Sequence, residues 1–269
     1  MNQTRQPNPC RPRLRSAAWL MLGCLQPLAA DPLVILHDAF ADGERETQAL
    51  PASAEWFGSS SSATIWVERD RGLVQEGGGR HVLAYFTPAR EPVRLAPGQT
   101  VRLTYELAIT GPMDGPSAFR VGLFDSGGAR VIDDKQSRSL DFVGYRGYIG
   151  TTNPKPLKNA PLRIAKRIGE SDTLLATITA YELLGGSGGS LQPMEDGVFY
   201  TGTLSIKCVS YDKAIVTHGY EGGELRELVV SDEDVAAPQF TFDTVAVHAG
   251  SKAADGFVLR SVKVELVSD

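Results

Sequence analysis

The groups in this chain that could do chemistry are one arginine set into an apolar strand pattern, several tyrosines and histidines, and scattered carboxylates. Arg120 stands in the stretch FRVGLFDSGG. Phe119, Val121 and Leu123 alternate there with Arg120 and Gly122, and Asp125 to Gly128 then break the run. In a strand, this alternation sends the apolar residues to one face and Arg120 to the other. A guanidinium on that face can bond sugar hydroxyls or pair with a carboxylate. Asp125, ahead of Ser126 and two glycines, reads as a turn-former. Lyase chemistry on a uronate needs a Tyr or His base and an Arg, Gln or Asn to neutralise the carboxylate. Arg80, His81, Arg120, Tyr145, Arg146, Tyr148, Lys207, His218 and Tyr220 supply such types. Glycoside hydrolysis needs two carboxylates flanking one bond. The acidic stretches EDGVFY and SDEDVA fall at loop positions, and Glu106 is alone on its strand.

Nucleophilic chemistry has less support. No Gly-x-Ser-x-Gly elbow occurs, and Ser187 lies in the glycine-rich GGSGG. Cys208 shares parity with Leu204 and Ile206 and reads as an inert core thiol. Zinc-ligand spacing is missing. His218 shares parity with Val216 and reads as a satisfied histidine at the core edge. His81 begins a strand, and His37 and His248 have no pairing that sequence alone establishes.

The elements that must position these groups are strands. In TVRLTYELAIT, Val101, Leu103, Tyr105, Leu107 and Ile109 share one face, as in a half-buried antiparallel strand. GTLSIKCVS, DKAIVTHGYEGG and GFVLRSVKVELVS repeat the period of two, the last read with Val258, Arg260, Val262 and Val264 on one side. Turn clusters such as EGGGR, APGQT, DSGG and EGGE separate the runs. LLGGSGGSLQPMEDG and VSDEDVAA read as loops, and AGSKAADGF as room for one helical turn. Many short strands between Gly and Asp turns indicate an all-β, two-sheet antiparallel sandwich. Val101, Leu103, Tyr105, Phe119, Val121, Leu123, Leu204, Ile206, Val262 and Val264 are its expected core.

Residues 1–30 differ from the rest. Arg5, Arg11, Arg13 and Arg15 precede the short apolar run AAWLMLGCLQPLAA, and no Asp or Glu occurs before Asp31. This describes a secretory signal peptide cut near Ala30, with residues 31–269 as one domain outside the cytoplasm: secreted, periplasmic or at the cell surface. The run is too short for a transmembrane anchor. MLGC loosely resembles a lipoprotein box, with Cys24 as the lipid-bearing alternative. The full chain carries 27 Lys and Arg against 32 Asp and Glu. Without the four N-terminal arginines the balance is 23 − 32 = −9, which argues against nucleic acid as a partner. Cys208 is then the lone cysteine, so no internal disulfide staples the fold.

Three stretches together resemble the concanavalin A-like, laminin-G-like jelly-roll domains of secreted bacterial proteins. They are ILHDAFADGERETQALPASAEWF, FRVGLFDSGGARV and FDTVAVHAGSKAADGFVLRSVKVEL, with Phe40, Asp42-Gly43, Trp56 and the closing strand pair carrying the likeness. It spans roughly residues 33 to 267. It implies a jelly roll and, as partner, a polysaccharide or cell-surface glycan. It leaves open a non-catalytic binding module and, as alternative, a polysaccharide lyase acting on a uronate-containing glycan. The Glu-x-Asp-x-x-Glu strand of related hydrolases is absent, and so are the lyases' Arg-x-Glu-x-Arg and Gln-Ile-His runs. Trp56, Trp66, Tyr145 and Tyr148 are the aromatic candidates for sugar stacking, and Arg120 is the polar one. The resemblance also implies a structural calcium ion near the entry strand, at Asp38 and Asp42, for which turn chemistry is the plainer reading; no other cofactor is expected.

Overall fold

The computed structural model describes residues 31–59, 64–111, 118–134, 140–153, 162–175, 179–187, 194–223, 225–235, 237–250 and 254–269. The expected signal peptide, with Cys24, lies outside them, as do residues 251–253 of the stretch read as a helical turn.

Two antiparallel sheets pack face to face, as expected for a sandwich. The first holds β1 (Leu33–Asp38), β3 (Ile65–Glu68), β4 (Gly72–Glu76), β7 (Gln99–Thr110), β12 (Phe199–Ser210), β13 (Lys213–Gly222), β14 (Leu225–Val235) and β17 (Gly256–Ser268). Its order is β14-β13-β12-β7-β17-β4-β3, with β1 also paired to β17. The second holds β2 (Trp56–Gly58), β5 (Arg80–Tyr85), β8 (Phe119–Asp125), β9 (Arg146–Thr152), β10 (Leu162–Arg167), β11 (Tyr181–Gly186) and β16 (Thr244–Ala249), in the order β11-β10-β9-β8-β16-β5-β2. A small third pair joins β6 (Val93–Arg94) to β15 (Thr241–Phe242).

The alternation read from sequence fills the space between the sheets. All ten expected core residues are buried, from Val101 and Leu103 on β7 to Val262 and Val264 on β17. Burying each Leu or Ile side chain contributes about 1.5–3 kcal/mol. Phe119 and Phe257 meet edge to face across the sheets, with ring centroids 5.9 Å apart.

Three sequence readings need correction. The parity assigned to GFVLRSVKVELVS holds only for its second half. A β-bulge between Leu259 and Ser261 inserts a residue, so Phe257 and Leu259 face the core while the exposed Arg260 turns outward. VSDEDV is not a loop but the end of β14, bonded along β13. Likewise Leu183–Gly186, the start of LLGGSGGSLQPMEDG, belongs to the strand Tyr181–Gly186 paired to β10.

The second sheet has a further layer on its outward face. Leu83, Tyr85, Phe124, Ile149 and Ala246 project there and are buried under Phe142, Tyr145, Leu174 and Leu175. A short 3-10 helix, Leu140–Gly144, brings Phe142 onto this layer.

Candidate functional site

Arg120 occupies the outward face of β8, as its parity requires, and it borders the covering layer. Cross-strand register places it in a polar row. His248 on β16 lies opposite Arg120, His81 on β5 lies opposite His248, and Thr151 on β9 lies on the other flank of Arg120. Arg163 on β10 extends the row beyond Thr151. Arg120 Nη1 donates to the Leu175 carbonyl at 2.7 Å. No ion pair to Arg120 occurs among the described residues, and its Nε has no acceptor. Arg163 Nε and His248 Nδ1 are also without partners. Arg120 and Arg163 are half-buried, whereas His81 and His248 are buried.

Burial therefore sets the electrostatics of this row. It lowers the pKa of Arg120. It takes His81 down to about 4 and His248 to about 3, the latter helped by the neighbouring His81 and Arg120 charges. Both rings are neutral at pH 7, and His81 packs edge-on against Phe142. The row thus offers two guanidinium groups and neutral hydrogen-bonding groups, with no carboxylate paired to them among the described residues, a composition suited to sugar hydroxyls or a carboxylate ligand.

The aromatic candidates do not gather around Arg120. Trp56 points between the sheets, is wholly buried, and donates Nε1–H to Asp38 Oδ2 at 2.9 Å. Tyr148 is also wholly buried between the sheets, and its hydroxyl accepts the Gln239 N–H at 2.8 Å. Tyr145 is buried in the covering layer, its hydroxyl 2.8 Å from that of Tyr85. Burial covers the ring faces of all three, so the stacking expected of them does not fit this structure. Trp66 is 38% exposed but sits on β3 of the other sheet. Alternation alone cannot tell a strand aromatic that faces water from one that faces a second layer.

Asp38 and Asp42 each accept local hydrogen bonds. Asp38 is buried, and its carboxylate accepts from Phe40 N, Ala54 N and Trp56 Nε1. Oδ1 takes one of these donors and Oδ2 takes two. Desolvation raises the Asp38 pKa despite these bonds. Asp42 caps the Glu44 N–H at 3.2 Å, which is turn chemistry. Among the described residues no three His, Cys, Asp or Glu side chains gather to hold a metal ion.

Several other sequence readings match the geometry. Asp125 Oδ1 accepts the Gly127 N–H at 2.9 Å, closing the turn after β8. His218 is wholly buried between Thr203 O and Thr152 Oγ1. Cys208 is buried, and burial pushes its thiol up. The pairing of His248 with Arg120 was missed. Its signal was the shared outward parity of both residues, but a register across more than a hundred residues is needed to use it.

No protein-family model and no curated protein sequence matches the chain. Among solved structures it is similar to the VIP36 exoplasmic/lumenal domain in its Ca2+/Man3GlcNAc-bound form, at 9% identity over 82% of this chain and 85% of that one, with a TM-score of 0.49. It is also similar to the metal-free Emp46p carbohydrate recognition domain, at 9% identity over 82% and 93% with a TM-score of 0.46. A third is the lectin from Bauhinia forficata in complex with GalNAc, at 11% identity over 84% and 96% with a TM-score of 0.43. The likeness is one of sandwich outline.

Proposed function

We propose that this chain is a secreted, glycan-associated sandwich that binds a polysaccharide or cell-surface glycan without cleaving it. One observation carries the reading. Arg120 is a largely desolvated guanidinium with one carbonyl acceptor, an unpartnered Nε and no carboxylate among the described residues. A desolvated cation is costly unless something pairs with it or bonds it. A sugar hydroxyl or carboxylate at the accessible part of the half-buried Arg120 side chain, with Arg163 beyond it in the row, would offset part of that cost. No helix of the described residues is long and apolar enough to cross a membrane; the N-terminal sequence supports export and a free or surface-held product.

Polysaccharide lyase chemistry is the second reading, favoured by the meeting of Arg120 with His248 and with the field of Tyr181. The histidines that would serve as base are buried under the layer, and the Tyr181 hydroxyl is bound to the Leu174 carbonyl. Binding therefore fits the row better than proton abstraction. The test is retention of the purified protein on a panel of immobilised glycans, run beside an ultraviolet assay for unsaturated uronate. We expect Arg120→Ala to lose retention while the melting temperature falls by no more than a few degrees. Unchanged retention would remove the site, and uronate absorbance from the parent protein would establish the lyase.

A further inference from the structure

The loop leaving β1 and the turn from β3 to β4 both line a surface cavity of about 410 Å³. Three exposed arginines, Arg69, Arg71 and Arg260, open on it against one carboxylate, Asp70. Arg71 is held by Glu68 at 2.9 Å. Arg260 reaches Glu106 only at 3.9 Å and stacks over the Phe199 ring, 3.5 Å from its centroid. Arg69 has no ion pair among the described residues.

The cavity has a fixed frame. Phe40 and Asp70, two of the four non-glycine residues with left-handed backbone among the described residues, both line it, at φ 54 and 66. Such conformations persist where the surroundings over-determine them, and they cluster at ligand clamps. Asp38 holds the first by accepting the Phe40 N–H. Gly72 closes the turn against β17 so tightly that a Cβ there would lie 2.1 Å from the Leu259 carbonyl. That contact falls at the β17 bulge, which turns Arg260 outward. Beside the chain segment between Asp38 and Asp42, the cavity thus presents Arg69, with no ion pair among the described residues, next to Arg71 and Arg260, which Glu68 and Glu106 engage.

We propose that this cavity binds an oxyanion borne by a glycan, either the carboxylate of a uronate or a sulfate ester. The glycan as carrier rests on the functional reading above; the oxyanion rests on the guanidinium geometry, which matches planar and tetrahedral oxygen pairs. The chain's net charge of −5 works against indiscriminate polyanion binding.

Affinity electrophoresis of the full protein through gels containing polygalacturonate, dextran sulfate or neutral dextran tests this. We expect retardation by at least one acidic polymer, weakened about tenfold in Arg69→Ala, as for loss of a charge-assisted hydrogen bond. Arg69→Lys should recover part of it. Arg94→Ala, which removes an exposed charge elsewhere, should leave retardation unchanged. Polygalacturonate alone would assign the uronate, and dextran sulfate alone the sulfate ester. Equal weakening by Arg94→Ala, or no retardation by either acidic polymer, overturns the proposal. Retention that is lost in Arg120→Ala and kept in Arg69→Ala would overturn this cavity and leave the glycan reading intact; the opposite pattern would remove the Arg120 row and leave the cavity.

Discussion

The outward faces of the two sheets differ in what covers them. On the first sheet, Arg102, Thr104 and Glu106 of β7 and Thr201, Thr203, Ser205 and Lys207 of β12 are all partly open to water. On the second, the matching positions carry Leu83, Tyr85, Ile149 and Ala246, sealed under loop residues. The strands show the difference in their composition. β7 and β12 alternate cleanly, as sheets with one wet face do, whereas TVAVHA of β16 is buried at all six positions. The lesson is that a strand face opposite the core is outward only in parity. His248 and His81 are buried by the same layer that covers their apolar neighbours, while Arg120, in the same row, stays half-buried at its border.

Truncating a side chain on each face should have the largest effect. Ile149→Ala should cost about 2–5 kcal/mol in denaturant unfolding, as much as Leu103→Ala between the sheets. A loss below about 1 kcal/mol at Ile149 would mean that the second layer is not packed.

Acid should act through the buried histidines. His81 and His218 take up a proton near pH 6.5 in the unfolded chain but resist it to about 4 in the fold. The unfolded state therefore gains protons first as pH falls. Stability present above pH 6.5 should decline toward pH 4, by up to roughly 3 kcal/mol for each ring. His81→Leu should flatten that slope in urea titrations from pH 7 to 4; an unchanged slope would place the His81 ring in water.

The smallest expected effect belongs to the wet face. Ser205→Ala should shift unfolding free energy by no more than about 0.5 kcal/mol. A larger loss would show that the first sheet also has an unseen cover.

Much of the first sheet was legible because its alternation is uninterrupted from Val101 to Ile109 and from Leu204 to Cys208. The second was legible only on its core side. Phe119, Val121 and Leu123 announce their face, but nothing local shows that Phe142 and Leu175 return over the other one. The β17 bulge was invisible because one inserted residue leaves both flanking halves regular. Acidic composition disguised β14 as a loop, since charges on an edge strand and charges in a turn read alike. Of the site, the side to which Arg120 points was readable. Its partners were not, because His248 and His81 join it through register rather than spacing.

The strand β17 pairs with β7, β1 and β4, so it is the seam of the first sheet. Leu266 meets both Val101 and Leu33, residues far back along the chain. During synthesis this sheet stays in three pieces until residues 256–268 arrive: β14-β13-β12-β7, the β3-β4 pair, and β1. Contacts this distant in sequence make folding slow, because the entropy of closing the long loop is lost before any pairing compensates for it. Until then the edges of β7 and β4 stand open to pairing with another chain. A chaperone or a holding partner would therefore act on this protein by shielding those two edges until the closing strand is made.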